Sequence, residues 1–437
     1  MDSASVPLDV SERPVVARIT PLQQRLLNVL AALVSLVWLA ALRFTLTPKS
    51  DDFKQYWQAV MNFRHTGNPY VDVPGSTAPL KGFFYPPLFT YLVQPIGLVD
   101  QLLGQVLWYV FNCLAVLGLV ALCMYLSRSH SAHRYWGVVL LGVCIAPPTR
   151  ITLQLGQISI LIALAVIGGF ALTRRHAWLS GLLLAIASLI RIYPAMLGFY
   201  YLLNRSDRRV VWYSIGSGVL LLSGSALIYG VEPYMSFIQF ALGSNGYPYT
   251  AEHNISFAGF FWRLLEESRF AIPVMQAPQL ARILVGISSL LVVGMCLWCS
   301  RATASDQQRQ LQFGIWLCGM MLISTSNGYY TLVLLLLPLL SVVRYLETTN
   351  DRVVRNTTIL ATLLVCVPPG WSANLPEVSL FVHVGLGQLL LTPSLHGLCL
   401  YFWLLTHVLH QVRYKAPGEE IASSLTRHPP AFTHRPH

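Results

Sequence analysis

The sequence predicts an all-α polytopic membrane protein, and three observations carry that prediction. Only 11% of the 437 residues are charged and 54% are hydrophobic, whereas a soluble domain carries about 25% charged residues. The apolar residues gather into long runs. The 29 Lys and Arg cluster between those runs, as they do in loops held on the cytoplasmic side of a bilayer. So little charge cannot coat a water-soluble enzyme of this size, and so much apolar content excludes a disordered chain and a disulfide-rich secreted scaffold. The net charge of +11 is then a topology signal and no argument for nucleic acid.

Taken in order, the chain opens with a polar segment carrying Arg13, Arg18 and Arg25, followed by the apolar run 26–46. That run is too long for the core of a cleavable signal peptide and lacks a small-residue cleavage site. It reads as an uncleaved first spanning helix that exits near Thr47. A crossing needs about 20 apolar residues, and 103–126, 153–173, 210–230, 281–300 and 384–411 also qualify. Shorter runs occupy 136–147, 178–190, 192–203, 311–325, 329–345 and 356–369. Together they make about 12 membrane helices, short and re-entrant ones included. Basic clusters at Arg128/Arg134, Arg174/Arg175, Arg205/Arg208/Arg209, Arg301/Arg309 and Arg344/Arg352/Arg355 are assigned to the cytoplasm with both termini, as expected for a plasma (inner) membrane protein.

That assignment puts both flanks of 178–203 inside. Two full crossings would need about 40 residues, so the stretch must be a hairpin of short helices turning within the protein at Arg191-Ile192-Tyr193-Pro194. Irregular backbone at that depth is tolerated beside a cavity or within protein. Two long loops, 47–102 and 231–280, fall outside, and long structured loops tend to carry function. Pro86–Val99 is expected to lie along the outer membrane surface. Residues 1–415 form one transmembrane domain. The tail 416–437, with Pro417, Pro429, Pro430 and Pro436, is expected to be disordered. The eight cysteines lie in or beside apolar stretches and behave as small hydrophobes. With no HExxH, no Cys/His cluster and no outer-loop DxD, no metal is expected. Without a GxGxxG or a P-loop, no nucleotide cofactor is expected either.

Because the chain holds only 18 Asp and Glu, each acid outside a cytoplasmic loop is a candidate for chemistry. Asp51 and Asp52 stand where the first helix leaves the membrane. They read either as the cap of a helix over 53–66, since Asp is favoured at helix N-termini, or as a general base at the outer leaflet, and the two roles are compatible. Glu252 and Glu232 are fallbacks. Gly67-Asn68-Pro69-Tyr70 reads as a turn. Tyr85 sits in the proline-flanked run Phe83-Phe84-Tyr85-Pro86-Pro87, although aromatic rings at this level usually form the interfacial belt. An Arg at the centre of a spanning helix costs roughly 2.5–3.5 kcal/mol on insertion scales. Arg191 therefore needs a partner, either a lipid phosphate, which suits the guanidinium fork, or a helix-end carbonyl or nearby Asp. Arg263 and Lys81 are further cations for a phosphate. The Gln157 amide is placed to bond a sugar or a neighbouring helix.

Asp52-Phe53-Lys54-Gln55-Tyr56, then Gly67-Asn68-Pro69-Tyr70, then Phe84-Tyr85-Pro86-Pro87 resembles the first outer loop of glycosyltransferase family 87. Leu155-Gly156-Gln157-Ile158-Ser159 is similar to the family's Gly-Gln element, and Arg191-Ile192-Tyr193-Pro194 to its basic-x-Tyr-Pro turn. Asn254-Ile255-Ser256-Phe257 with Arg263 resembles its Asn-x-Ser motif. The matches run in consistent order from about residue 50 to 263.

The resemblance implies a GT-C fold with its active site facing outward. It implies a polyprenyl-phosphate sugar as donor, mannose foremost and arabinofuranose as alternative, and a lipid-linked or glycan acceptor. It implies Asp52 as the catalytic acid residue, with Asp51 as substitute. Tyr56, Tyr85, Gln157, Tyr193, Asn254 and Ser256 would shape the sugar and acceptor pocket. One stretch departs from the family: Ser324–Tyr330 lacks the Trp/His-rich sequence of many relatives, and Tyr329, Tyr330 or His253 is left to fill that space. A transporter or flippase, or a polymerase or ligase of lipid-linked glycans, is the competing class. Broken helices and a buried Arg suit a transport path, but no inverted repeat is visible and the acids lie in loops.

Overall fold

The computed structural model of the protein describes residues 20–44, 51–71, 83, 85–243, 250–268, 270–300 and 305–426. Among these, regular structure is helical, and β-pairing is limited to isolated bridges. Helix α1 (Pro21–Phe44) is the first of five helices long and apolar enough to cross a membrane. After α2 (Asp51–Thr66) and the short α3 (Pro87–Leu92) comes the second, α4 (Gln101–Ser127). A turn of helix, α5 (His130–Arg134), leads into α6 (Trp136–Ile145) and α7 (Pro147–Leu155), which pass together as one span bent by 57°. The bend falls at Pro147 and Pro148, where the ladder loses its donors and Ala146 is held extended.

Three short helices follow: α8 (Ser159–Leu172), α9 (Ala177–Ile190) and α10 (Leu197–Leu203). The third long helix is α11 (Arg209–Tyr229); after α12 (Glu232–Gly243) and α13 (Phe257–Leu265) comes the fourth, α14 (Pro278–Cys299). Next are α15 (Asp306–Ile323), the fifth span over Tyr329–Thr348 ending in α16 (Leu336–Thr348), then α17 (Arg352–Val365), α18 (Pro376–Val382) and α19 (Pro393–Thr426). Helix α15 is buried from Gln308 to Leu322 and forms the centre. By contrast α11 and α14 leave Leu220, Leu227, Leu290 and Leu291 exposed, as lipid-facing helices do.

Specific contacts tie several of the basic stretches to one another. Asp306 bridges Arg128 at 3.4 Å and Arg174 at 2.7 Å, joining the ends of α4 and α8 to the start of α15. Glu347 accepts from Ser129 Oγ at 2.6 Å and from the His130 and Ser131 amides at 3.0 and 2.6 Å, pinning α16 to α5. Arg309 donates through Nε and Nη2 to Asp207 at 3.2 and 3.0 Å in a buried pair.

Depth follows from helix length. Helices α8 and α9 have 14 residues each, about 21 Å at 1.5 Å per residue; α8 ends and α9 begins beside Arg174 and Arg175. A hydrocarbon core is about 30 Å thick. Both helices fall short of that thickness, and their far ends are the turns Gly156–Ile158 and Arg191–Tyr193. The hairpin expected at Arg191 is present: α9 stops at Ile190, Arg191 is its extended cap, and a 3-10 turn over Tyr193–Met196 leads into α10.

Three expectations need correction. The run 153–173 is two helices, because Gly156 adopts φ 72 and ends α7 before α8 begins at Ser159. Pro86–Val99 is only in part a surface segment: Pro87 through Tyr91 are buried against the protein, whereas Leu92 and Leu98 are 45% and 74% exposed. Helix α19 continues to Thr426, into the stretch expected to be unstructured, over a sequence carrying the good helix formers Glu419, Glu420 and Ala422. Residues 427–437 lie outside the described residues.

Candidate active site

Helix α2 begins at Asp51 and ends at Thr66, close to the expected 53–66. Gly67, with φ 75, reverses the chain, and Asn68 Oδ1 accepts from the Tyr70 amide at 3.0 Å. Tyr70 in turn donates its hydroxyl to the Tyr85 carbonyl at 2.6 Å. This fixes the proline-flanked Tyr85 over α2, where its ring meets Tyr56 edge-on at 5.3 Å and Phe89 at 4.7 Å.

The other side of the cluster comes from the turns at Gly156 and Arg191. Left-handed Gly156 presses against the first turn of α2. A Cβ built there would stand 2.9 Å from Phe53 Cβ, so only glycine permits this approach. Trp108 Nε1 donates to the Gly156 carbonyl at 2.7 Å and holds the turn in place. Gln157 then points its Oε1 into the cluster. It accepts from Tyr85 at 3.2 Å, Tyr56 at 3.4 Å and Arg191 Nη2 at 3.2 Å. A narrow crevice, of about 10 Å³, lies beside this turn between α4 and α7, lined by Phe53, Trp108, Tyr109, Asn112 and Leu153 among others.

Arg191 is the centre of the arrangement. Nη2 donates to Tyr85 Oη at 2.5 Å, and Nη1 and Nη2 each reach Tyr330 Oη at 3.5 Å. The guanidinium lies over the Tyr85 and Tyr330 rings at 4.8 and 5.4 Å, within cation–π range. Its Nε is buried without a partner. Tyr85, Gln157 and Tyr330 hold it, and Tyr193 lies in the same electrostatic neighbourhood. Burial pushes the Tyr85 phenol up to about 12, against the opposing pull of Arg191, and pushes Tyr56 well above its ordinary value. Neither phenol can supply a negative charge near neutral pH. Asp52, partly buried in the first turn of α2, lies within electrostatic reach of both tyrosines.

The residues read from sequence thus separate into two groups. Asp52, Tyr56, Tyr85, Gln157, Arg191, Tyr193 and Tyr330 come together. Asn254, Ser256, Arg263, His253 and Tyr329 build a neighbouring knot. Asn254 Oδ1 accepts from Ser256 Oγ at 2.9 Å and from the Asn327 amide at 3.1 Å, and its Nδ2 donates to the Thr325 carbonyl at 3.1 Å. Arg263, 1% exposed, donates Nη1 to the Ala251 and Asn254 carbonyls at 2.8 and 3.2 Å. Burial pulls its pKa down to about 10, against Glu252. Burial and Arg263 together lower His253 to about 4, so its ring is neutral. The His253 carbonyl accepts from the Tyr329 amide at 2.8 Å, and the Tyr329 hydroxyl turns away to the Val365 carbonyl at 2.9 Å. This knot fixes the loop carrying Tyr330 against the second outer loop. Lys81 and the side chain of Asp51 lie outside the described residues.

Arg150, on α7, escaped the sequence reading. Its Nε is buried without a hydrogen-bond partner. The signal was available: Arg150 is the lone charged residue of the apolar stretch 136–173, whose two flanks are basic.

Comparison with known proteins follows this geometry. The family model described as glycosyltransferase family 87 matches residues 83–325. A curated relative from Mycobacterium tuberculosis (strain CDC 1551 / Oshkosh), a polyprenol-phosphate-mannose-dependent alpha-(1-2)-phosphatidylinositol pentamannoside mannosyltransferase, is 27% identical over 256 residues, 56% of each chain. The protein of the same description from Mycolicibacterium smegmatis (strain ATCC 700084 / mc(2)155) is 26% identical over 233 residues, 52% of each chain. The matched region spans about half the length of these curated relatives. No solved structure matches.

Proposed function

Because the chain belongs to glycosyltransferase family 87, we propose that it is an integral-membrane glycosyltransferase of GT-C architecture. It moves a sugar, mannose foremost, from a polyprenyl-phosphate donor to a lipid-linked or glycan acceptor. The reaction takes place on the extracytoplasmic face of the plasma membrane, opposite the basic clusters and both termini. The observation that carries this reading is Arg191: a part-buried guanidinium whose Nε is shut off from solvent, cradled by neutral tyrosines and Gln157, with a carboxylate at the edge of the cluster.

The chemistry follows from those parts. The donor phosphate docks on Arg191, for which a charge-assisted fork is the strongest available contact. Asp52 takes the proton of the acceptor hydroxyl, whose oxygen attacks the anomeric carbon from the side opposite the phosphate. The anomeric C–O bond to phosphate breaks with its electron pair on the leaving oxygen, and Arg191 stabilises the charge that grows there. Attack opposite the leaving group inverts the anomeric centre. Tyr56 and Tyr85, held as neutral phenols, bond the sugar and orient Gln157 and Arg191.

The test is release of free polyprenyl phosphate by the purified chain from radiolabelled polyprenyl-phosphate mannose, with the arabinofuranose donor beside it. Asp52→Asn should slow release by about 10²–10⁴-fold while retaining donor binding. Near-normal turnover in Asp52→Asn removes the base from that position. Movement of intact donor across vesicles without release would assign the chain to the transporter class.

A further inference from the structure

Tyr330 stands on the part of Arg191 that a phosphate would use. Nη2 of Arg191 is committed to Tyr85 and Gln157 at 2.5 and 3.2 Å. Among the described residues Nη1 has one partner, the Tyr330 hydroxyl, which lies 3.5 Å from Nη1 and 3.5 Å from Nη2. An acceptor equidistant from both terminal nitrogens occupies the open end of the guanidinium fork, where an oxygen of a phosphate docks. Both contacts are longer than the usual range of about 2.7–3.2 Å, so the phenol covers the fork and grips it weakly.

Gly328 is the reason the phenol can stand there. Its φ of −75 and ψ of 150 are open to any residue, so the backbone makes no demand for glycine. The demand comes from the Tyr330 ring, which folds back over residue 328. A Cβ there would lie 2.1 Å from Cζ of that ring and 2.5 Å from Oη. The backbone on either side is clamped: the Ile255 amide donates to the Asn327 carbonyl and the Tyr329 amide to the His253 carbonyl, each at 2.8 Å, and the Thr331 amide donates to the Gly328 carbonyl at 2.9 Å. Tyr329 and Thr331 are buried, whereas Tyr330 between them is part-exposed. The ring, rather than the turn that carries it, is what can give way.

We infer that Tyr330, seated on Gly328, competes with the donor phosphate for the fork of Arg191, so that these two positioning residues set how tightly the donor is held. This rests on the docking of a donor phosphate on Arg191 proposed above. An ionised side chain inside a membrane protein is kept with a partner, and Tyr330 is the partner that can be exchanged for the phosphate. The apparent affinity for donor is then reduced to the fraction of molecules whose fork is open.

Native mass spectrometry of the full chain in detergent reads this without turnover. The probe is polyprenyl phosphate; polyprenol, the same tail without the phosphate, is its control. A minor open state is populated at about 0.1–10%, so clearing the fork should tighten retention of polyprenyl phosphate at least about tenfold. Gly328→Ala, which pushes the ring aside with its hydroxyl intact, should show that gain. Tyr330→Phe, which removes the hydroxyl and leaves the ring, should show a smaller one, and polyprenol retention should change in neither. Ring fluorine placed on Tyr330 should shift its NMR resonance when polyprenyl phosphate is added, in the direction that Gly328→Ala shifts it without ligand; a glycine needed only for folding would give no such agreement. Weaker retention in either variant overturns the inference, because the hydroxyl would then be holding the phosphate, and unchanged retention in Gly328→Ala overturns it as well. Equal gains for polyprenol would trace the effect to the tail and refute competition at the fork. Arg191→Gln tests the proposed docking separately. Wild-type retention in that variant takes the phosphate off Arg191, and both readings fall. Loss of polyprenyl phosphate in Arg191→Gln with no gain in Gly328→Ala leaves the docking standing and removes Tyr330 alone.

Discussion

Gly156→Ala separates backbone strain from site geometry, and the structure supplies its own control. Gly156 and Gly67 have nearly the same left-handed φ, 72 and 75. Alanine in that region costs roughly 1–2 kcal/mol, so both variants should lose at least that much stability. They differ in what the new methyl meets. At Gly67 nothing lies within 4 Å; at Gly156 the Cβ would stand 2.9 Å from Phe53 Cβ. Normal carbon contact begins near about 3.5 Å, so the start of α2 must retreat by roughly 0.6 Å, and Asp52 moves with Phe53. A misplacement of about 1 Å can cost 10²-fold in rate, which scales to roughly ten- to twentyfold here. Thermal unfolding in detergent, with release of polyprenyl phosphate measured well below the transition, reads both quantities. The expected result is a stability loss in both variants, larger in Gly156→Ala because the forced contact adds to the backbone strain, and a rate loss in Gly156→Ala alone. Equal rates in the two variants would refute the idea that this glycine sets the distance between α2 and the Gln157 turn.

Two further outcomes follow from polar groups outside the cluster. Burial lowers His253 to about 4 from about 6.5 in an unfolded chain. Between these values the unfolded state binds more protons, so stability is full above about 6.5 and falls as pH drops towards 4, by at most on the order of 3 kcal/mol. Hydrogen exchange across 250–268 should speed up at pH 4.5 relative to 7.5, and His253→Gln should flatten that difference; an unchanged pH response in His253→Gln would refute the assignment. The Asp207–Arg309 pair is 1% and 10% exposed, and breaking such a pair typically costs 3–5 kcal/mol because one charge is left buried. Arg309→Met should therefore lower the unfolding temperature sharply, and adding Asp207→Leu should recover most of it; a double variant no better than the single would show that the loss is one of packing.

Much of this arrangement was legible because one-dimensional signals encode depth. Run lengths and basic clusters located the turn at Arg191, since 26 residues cannot cross twice. The cost of an unpaired guanidinium then marked Arg191 as a site. What stayed hidden depends on direction. Tyr329 and Tyr330 are neighbours in sequence, but a 3-10 turn rotates successive side chains by about 120°, sending one hydroxyl to Val365 and the other to Arg191. Asn254 and Ser256 looked like pocket residues; their polar atoms are consumed by loop amides and carbonyls, which no spacing reveals. Pro87–Tyr91 seemed suited to a membrane surface, but tertiary packing with Tyr56 and Tyr85 buries it.

The two 14-residue helices also decide how substrate must be counted. With the Gln157 and Arg191 turns at the ends of helices too short to cross a bilayer, the proposed lipid donor would reach them by sideways diffusion in the membrane plane. The governing quantity is then the mole fraction of donor among the surrounding lipids, and the volume of buffer drops out. Diluting the bilayer with inert phospholipid at fixed total donor would starve such a site, whereas diluting the whole suspension would leave each protein's supply unchanged.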